Sequence, residues 1–281
     1  MSATTPTPPQ PQDISSRYDQ VSSTYNNSNY TKAAHKLFWV VYDHLTWAAV
    51  QKVLPPAGTS WRVLDAGGGG GKFSARFAEA GHHVTVLDIS AGMLDSAKAH
   101  LSSKGLLERA TFVEGTVADL RFEDASFDLV FSEGDPVSYC LDQYPKAMSE
   151  LVRVVKPGGP VIMGVDNLNE HFMFELKHGK KAEALKMLMT GRGKCPYGLP
   201  VHLFTLKELH DGVKAAGADV EEIFGKPVMY FEMLEAMQAE RGPDFDVWAA
   251  RDEIIAMQEK FAHEGFALQG QHFQVMARRK K

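Results

Sequence analysis

Short apolar runs alternate with segments of helical period through the middle of the chain. Trp61 to Ala66, His83 to Asp88, Ala110 to Glu114, Phe127 to Phe131 and Pro160 to Val165 are rich in Val, Leu, Phe and Ile, and each is short enough for a strand. Between them, SAGMLDSAKAHLSSKG puts Met93, Leu94, Ala97 and Leu101 on one stripe, with Ser90 as N-cap and Gly105 as the stop. YPKAMSELVRVVKPGG does the same with Met148, Leu151 and Val155 before Pro157-Gly158-Gly159. Alternation of this kind predicts an α/β fold in which a mostly parallel, doubly wound sheet is covered by helices on both faces. Such sheets bind ligands at the carboxyl ends of their strands.

The flanks read differently. Residues 1–13 are rich in Pro, Ser and Thr without apolar period and are expected as a disordered tail. Tyr18 to Leu54, with Leu37, Val41, Leu45 and Ala48, predicts one or two helices ended by Pro55-Pro56. After Val165 comes a polar, basic insertion over about 167–204, then an amphipathic helix over 205–217 and strands over 218–224 and 272–278. About 45 mostly helical residues separate those last two strands, far more than an ordinary connection. The expectation is a seven-stranded sheet in a single domain over 14–281, its core at 57–166, with lid insertions at about 167–204 and 226–268.

Composition narrows the class. With 281 residues and 44% hydrophobic content the chain can bury a real core, and a net charge of -5 argues against wrapping nucleic acid over its whole surface. Cys140 and Cys195, the only cysteines, have neither a disulfide framework nor zinc-site spacing, so no metal site is expected. No apolar run reaches the length of a membrane span, and the N-terminus lacks a signal-peptide pattern. The chain reads as soluble and cytoplasmic, of undetermined oligomeric state.

The chemistry starts at VLDAGGGGGKF. Five glycines at a strand end let backbone turn tightly and lie against a ligand, and the helix that follows points free N–H groups at it. A dinucleotide fingerprint fails, because frames from Gly67 or Gly68 end on Lys72 or Phe73; a phosphate loop fails, because Ala66 and Phe73 stand where Gly and a hydroxyl belong. What fits is Asp65-x-Gly67-x-Gly69-x-Gly71, with Asp88 closing the next strand.

Here the chain resembles the class I S-adenosylmethionine-dependent methyltransferases, through VLDAGGGGG, VTVLDIS, FVEGTVADL, FDLVFSEGD and LVRVVKPGGPVIM in the family's order over roughly 61–166. The resemblance implies S-adenosylmethionine as cofactor and S-adenosylhomocysteine as product. It places the methionine portion on Gly67, Gly69 and Gly71, with Asp65 fixing the loop and the cofactor's amino group. Asp88 would accept both ribose hydroxyls, Ile89 and Met93 would sandwich the adenine, and Asp119 with Val117 and Ala118 would meet its amino edge. Ser132, at the end of the fourth strand, and an N-terminal tyrosine, with Tyr25 taken from Tyr18, Tyr25 and Tyr30, complete that set. Gly115 is followed by Thr116 where many relatives have Asp, a departure that bears on the adenine contact.

For the acceptor, SEGDPVSYC offers Glu133, Asp135 and Tyr139 as candidate catalytic residues, two carboxylates able to grip a cationic or hydroxyl acceptor. His35, His44, His171 and His202 are further possible bases, and a stripe of Met229, Met233 and Met237 with Phe231 and Leu234 reads either as core or as the lining of an acceptor lid. The leading expectation is methyl transfer to the N, O or S of a small molecule. A runner-up is tRNA, because LDAGGGGGKF, AGHHVTVLDISAGMLDSAKA and QGQHFQVMARRK are similar to the enzymes that methylate the carboxyl of wobble 5-carboxymethoxyuridine, with Lys177 through Lys194 as the RNA-facing strip. A third alternative keeps the fold and cofactor but transfers no methyl.

Overall fold

The computed structural model describes residues 11–25, 33–263 and 265–281. Two helices, α1 (Pro11–Tyr25) and α2 (Ala33–Gln51), precede the sheet. α1 starts inside the segment expected as a tail, which costs no hydrogen bond, since the first helical N–H has no intrahelical partner and proline lacks it anyway.

The alternation then runs β1 (Arg62–Ala66), α3 (Lys72–Glu79), β2 (His83–Asp88), α4 (Ala91–Ser103), β3 (Ala110–Glu114) and β4 (Leu129–Ser132). It continues through a short α5 (Pro136–Tyr139), α6 (Tyr144–Val154) and β5 (Pro160–Asp166). Phe127 was expected to open the fourth strand but makes only an isolated bridge to Val155. The C-terminal part adds α7 (Leu168–Lys177), α8 (Lys181–Thr190), the hairpin β6 (Arg192–Lys194) and β7 (Pro200–His202), α9 (Leu206–Ala215), β8 (Ala218–Val228), α10 (Tyr230–Arg241), α11 (Arg251–Ala262) and β9 (Gly270–Arg279).

Seven strands form one sheet in the order β3-β2-β1-β4-β5-β9-β8. β1 to β5 are parallel, and β9 runs antiparallel between β5 and β8. The chain order reverses at β1, and the crevice at the carboxyl ends of β1 and β4 is where such a sheet takes a ligand. One core fills the sheet face under α5, α6 and α9, with Val130, Val161 and Phe273 wholly buried; the other lies under α2, α3 and α4, around Phe77 and Phe131.

The two insertions differ. α10 and α11 pack on α2, where Leu234, Met237 and Ile254 meet Leu37, Phe38 and Val41. Residues 167–204 hold a small core of their own, Leu168, Met187, Val201 and Leu203, against which Tyr139 and Tyr197 pack. Among the described residues no helix is long and apolar enough to cross a membrane.

Between β1 and α3 the backbone turns through positive φ at Gly67 (80°), Gly69 (52°) and Gly71 (76°). The Gly67 and Gly68 N–H groups both donate to Leu87 O, at 2.7 and 3.0 Å, which pins the loop to the end of β2. A Cβ at Gly67 would come within 2.2 Å of Pro136 Cγ, so conformation and space both exclude a side chain. Gly67→Ala should therefore cost about 1–3 kcal/mol of stability in urea unfolding and push α5 away from the loop.

Candidate active site

A cavity of about 210 Å³ opens at the carboxyl ends of β1, β2 and β4. One end is walled by Gly67, Gly69, Asp88, Ile89, Met93 and Val117; the other by Glu133, Gly134, Pro136, Tyr139 and Cys140, with Ile14 and Tyr18 of α1 completing the wall.

Asp88 ends β2 and is 8% exposed. Its Oδ2 accepts from Gly69 N and its Oδ1 from Ser90 N, both at 2.9 Å, so one carboxylate fixes the glycine loop and the approach to α4. Each oxygen keeps a further acceptor site. Burial pushes the Asp88 carboxyl up, and the backbone N–H groups partly offset this. Ser90 caps α4 through Met93 N at 3.0 Å, and Asp19 of α1 accepts from Ser90 Oγ and from Gly92 N (2.9 Å). α1 is thereby fastened to the amino end of α4, which brings Tyr18 to the cavity.

Asp65 lies beneath the loop rather than in the wall, 2% exposed, accepting from Ser74 Oγ. Burial pushes its carboxyl up to about 7, opposed by the Ser74 hydrogen bond. A carboxyl raised in the folded state contributes stability that is full below its unfolded pKa, about 4, and is lost as pH rises through about 7. Between pH 5 and 6.5 this group should cost the protein about 1.4 kcal/mol per pH unit. Asp65→Asn should remove that slope, measured as the difference between wild-type and variant urea unfolding across the pH range.

Glu133 follows β4 and its side chain is 3% exposed. It accepts from Tyr42 OH of α2, and its Oε2 is 3.0 Å from Lys226 Nζ of β8. Lys226 is wholly buried; it donates also to Thr46 Oγ1 and Gln274 Oε1 and lies 4.3 Å from the centre of the Tyr42 ring. Burial pushes the Lys226 ammonium down, and Glu133 opposes this. Gly164 makes the room, because a Cβ there would be 2.4 Å from Glu133 Oε1.

Asp135, with φ 68°, caps α5 and turns away from the wall, its Oδ2 3.1 Å from His272 Nε2 of β9. Burial pushes Asp135 up to about 6 even with His272 beside it. Burial disfavours charge on His272, but Asp135 and Asp166 outweigh it and hold the imidazole up at about 9.

Tyr139 is in the wall and accepts from Tyr18 OH at 2.8 Å; burial and Tyr18 push its phenol up. Tyr18 also meets the Tyr197 ring edge-on at 5.8 Å, so the 167–204 insertion reaches the cavity through a cluster of three tyrosines. Burial pushes the Cys140 thiol up to about 12.

Of the expected cofactor residues, the structure brings together Gly67, Gly69, Asp88, Ile89, Met93, Val117 and Ala118. Gly71 is instead required by packing, a Cβ there lying 3.0 Å from Ala97 Cβ. Asp119 points outward, 59% exposed and 3.9 Å from Lys146 Nζ, while Thr116 is in the wall. Ser132 is fully buried, its Oγ without a partner. The Tyr25 side chain and Tyr30 lie outside the described residues.

The acceptor candidates change too. Both carboxylates expected to grip an acceptor are occupied by cations of the protein itself. Neither Lys226 nor His272 was singled out from the sequence, although His272 lies within the stretch QGQHFQVMARRK. His35, His44, His171 and His202 lie away from the wall, the last three against Glu259, Asp166 and Glu208. Met233 and Met237 pack with α2 as ordinary core. In the basic strip, Lys177 pairs with Glu232, Lys180 with Glu175 and Arg192 with Asp142.

Residues 63–159 match the family model described as a methyltransferase domain. A demethylmenaquinone methyltransferase of Clavibacter sepedonicus is 36% identical over 158 residues, covering 54% of this chain and 58% of that protein. The ubiquinone/menaquinone biosynthesis C-methyltransferase UbiE of Brucella anthropi is 38% identical over 124 residues, covering 41% and 45%. The chain thus spans about half the length of the curated relatives it matches. Among solved structures, the crystal structure of the [4+2]-cyclase SpnF superposes with a TM-score of 0.65 at 22% identity, covering 99% of each chain. The chain has the class I S-adenosylmethionine-dependent methyltransferase fold, and the part of it that carries the glycine loop and Asp88 is the part that matches the methyltransferase-domain model.

Proposed function

We propose that the protein binds S-adenosylmethionine and transfers its methyl group to a small, electrically neutral acceptor. S-adenosylmethionine supplies an electrophilic methyl on a sulfonium whose departure leaves a neutral thioether. The residues present fit that group. Gly67 and Gly69 leave backbone free for close approach, Asp88 keeps acceptor capacity for two hydroxyls, and Ile89, Met93 and Val117 offer an apolar slot for a purine.

The observation that carries the acceptor reading is the pairing of Glu133 with Lys226 and of Asp135 with His272. With both carboxylates compensated, neither a cationic nor an anionic acceptor would find a free opposite charge there. Tyr18 and Tyr139 instead suit a flat or apolar molecule. Tyr139 and Cys140 both hold their protons tightly, and Glu133 is paired with Lys226, so none of these three is free to act as a base. The acceptor is then nucleophilic by itself, and the protein acts by aligning it and excluding water, which can supply roughly 7–11 kcal/mol. The expected acceptor atom is N, O or S; that relatives are named as C-methyltransferases supports adding an electron-rich carbon to the candidates.

The reading is tested by supplying methyl-labelled S-adenosylmethionine with source metabolites separated by charge, and total RNA in parallel. Label should enter the neutral small-molecule fraction. Label in RNA would favour the tRNA alternative, and label in the cationic fraction would overturn the neutral-acceptor assignment.

A further inference from the structure

Asp135 follows β4, Asp166 is the last residue of β5, and His272 lies directly opposite Asp166 in the antiparallel β5–β9 register. Asp166 and His272 are 5% and 8% exposed. His272 Nε2 is 3.1 Å from Asp135 Oδ2 and 3.6 Å from Asp166 Oδ1, and the three donor atoms lie within 4.8 Å of one another.

Hydrogen bonding accounts for only part of this. One Nε2–H serves one carboxylate, and 3.6 Å is too long for a second hydrogen bond. Asp135 Oδ1, a buried atom of the group, has no hydrogen-bond partner; His272 Nδ1 has none either, but it lies across the ring from Nε2 and does not face the other two donors. Donors bound to a common ion at about 2.0–2.2 Å stand roughly 3.0–3.6 Å apart, and the two separations from His272 Nε2 fall in that range. Asp166 is also held by its own neighbours: His171 Nε2 is 3.1 Å from the same Oδ1, and Ser138 Oγ accepts from its backbone N–H. Supporting partners of this kind are what metal-binding carboxylates have.

We infer that Asp135, Asp166 and His272 form a binding site for one divalent transition-metal ion. The ion would take the place of the proton that His272 otherwise carries between the carboxylates, so that two carboxylates and a now neutral imidazole balance a charge of two, and the mixed oxygen and nitrogen set suits Zn²⁺ or Mn²⁺. Three protein donors leave coordination positions for water or a ligand oxygen. The site adjoins the acceptor end of the cavity, since Gly134 and Pro136 on either side of Asp135 are in its wall. An ion here ties the loop after β4 to β5 and β9.

The test uses the full chain, stripped with chelator and titrated with Zn²⁺ and Mn²⁺ by calorimetry, with Co²⁺ absorption as a spectroscopic readout. One ion per chain is expected, with affinity about tenfold or more weaker in His272→Gln and in Asp135→Asn. Zn²⁺ should raise Tm in the wild type and not in the variants. If His272→Gln does not fold, Asp135→Asn decides alone. No bound ion, or equal binding by wild type and Asp135→Asn, overturns the site and leaves His272 as a protonated bridge between the carboxylates. Neither cofactor nor acceptor is present in these titrations, so the result is independent of methyl transfer.

Discussion

Asp88→Ala is expected to weaken S-adenosylmethionine binding by about a hundredfold or more while the circular dichroism spectrum stays native. Two charge-assisted hydrogen bonds to ribose hydroxyls, each worth about 1.5–3 kcal/mol, are removed together. The same carboxylate holds Gly69 N and Ser90 N, so the loop and the first turn of α4 also lose their anchor. Unfolding should show a loss of about 1–3 kcal/mol for each N–H left without a partner. Asp88→Asn separates these effects, because its amide oxygen still accepts from one backbone N–H but offers only one acceptor in place of two. An affinity unchanged by calorimetry in Asp88→Ala would remove Asp88 from the cofactor site.

Lys226→Met should cost about 3–5 kcal/mol in urea unfolding. Its ammonium is fully buried and lies beside a carboxylate that is itself almost inaccessible. With Lys226 gone, Glu133 must either carry an unpaired buried charge or take up a proton. The double variant Lys226→Met, Glu133→Gln should recover most of the loss, since the pair is removed together. Losses that simply add in the double variant would show that the two residues do not act as a unit.

The parallel core was legible because its strands are runs of β-branched and aromatic residues bounded by glycine and proline. Ala110–Glu114 and His83–Asp88 could be bounded from the sequence alone. The glycine loop was legible because five consecutive glycines have few other uses at a strand end.

The acceptor end was not, and the reason is geometric. Tyr42, Glu133, Lys226 and His272 come from α2, the loop after β4, β8 and β9, so their meeting is a product of tertiary structure. Lys226 lies beyond the strand expected over 218–224 and drew no reading; a lone cation in a strand is equally compatible with edge or core. The helices of the 226–268 insertion repeat Met and Phe at a spacing that serves a lid or a core alike; packing on α2 decides it. The 167–204 insertion read as polar and basic, yet Tyr197 carries it to the cavity, and three of its cations face carboxylates.

The most direct test of methyl transfer follows S-adenosylhomocysteine release over time in a small-molecule extract, wild type beside Asp88→Ala. Product should accumulate with the wild type, in step with loss of one neutral acceptor, and not with the variant. Tight cofactor binding with acceptor consumed and no S-adenosylhomocysteine formed would contradict methyl transfer and assign the fold to non-methylating chemistry.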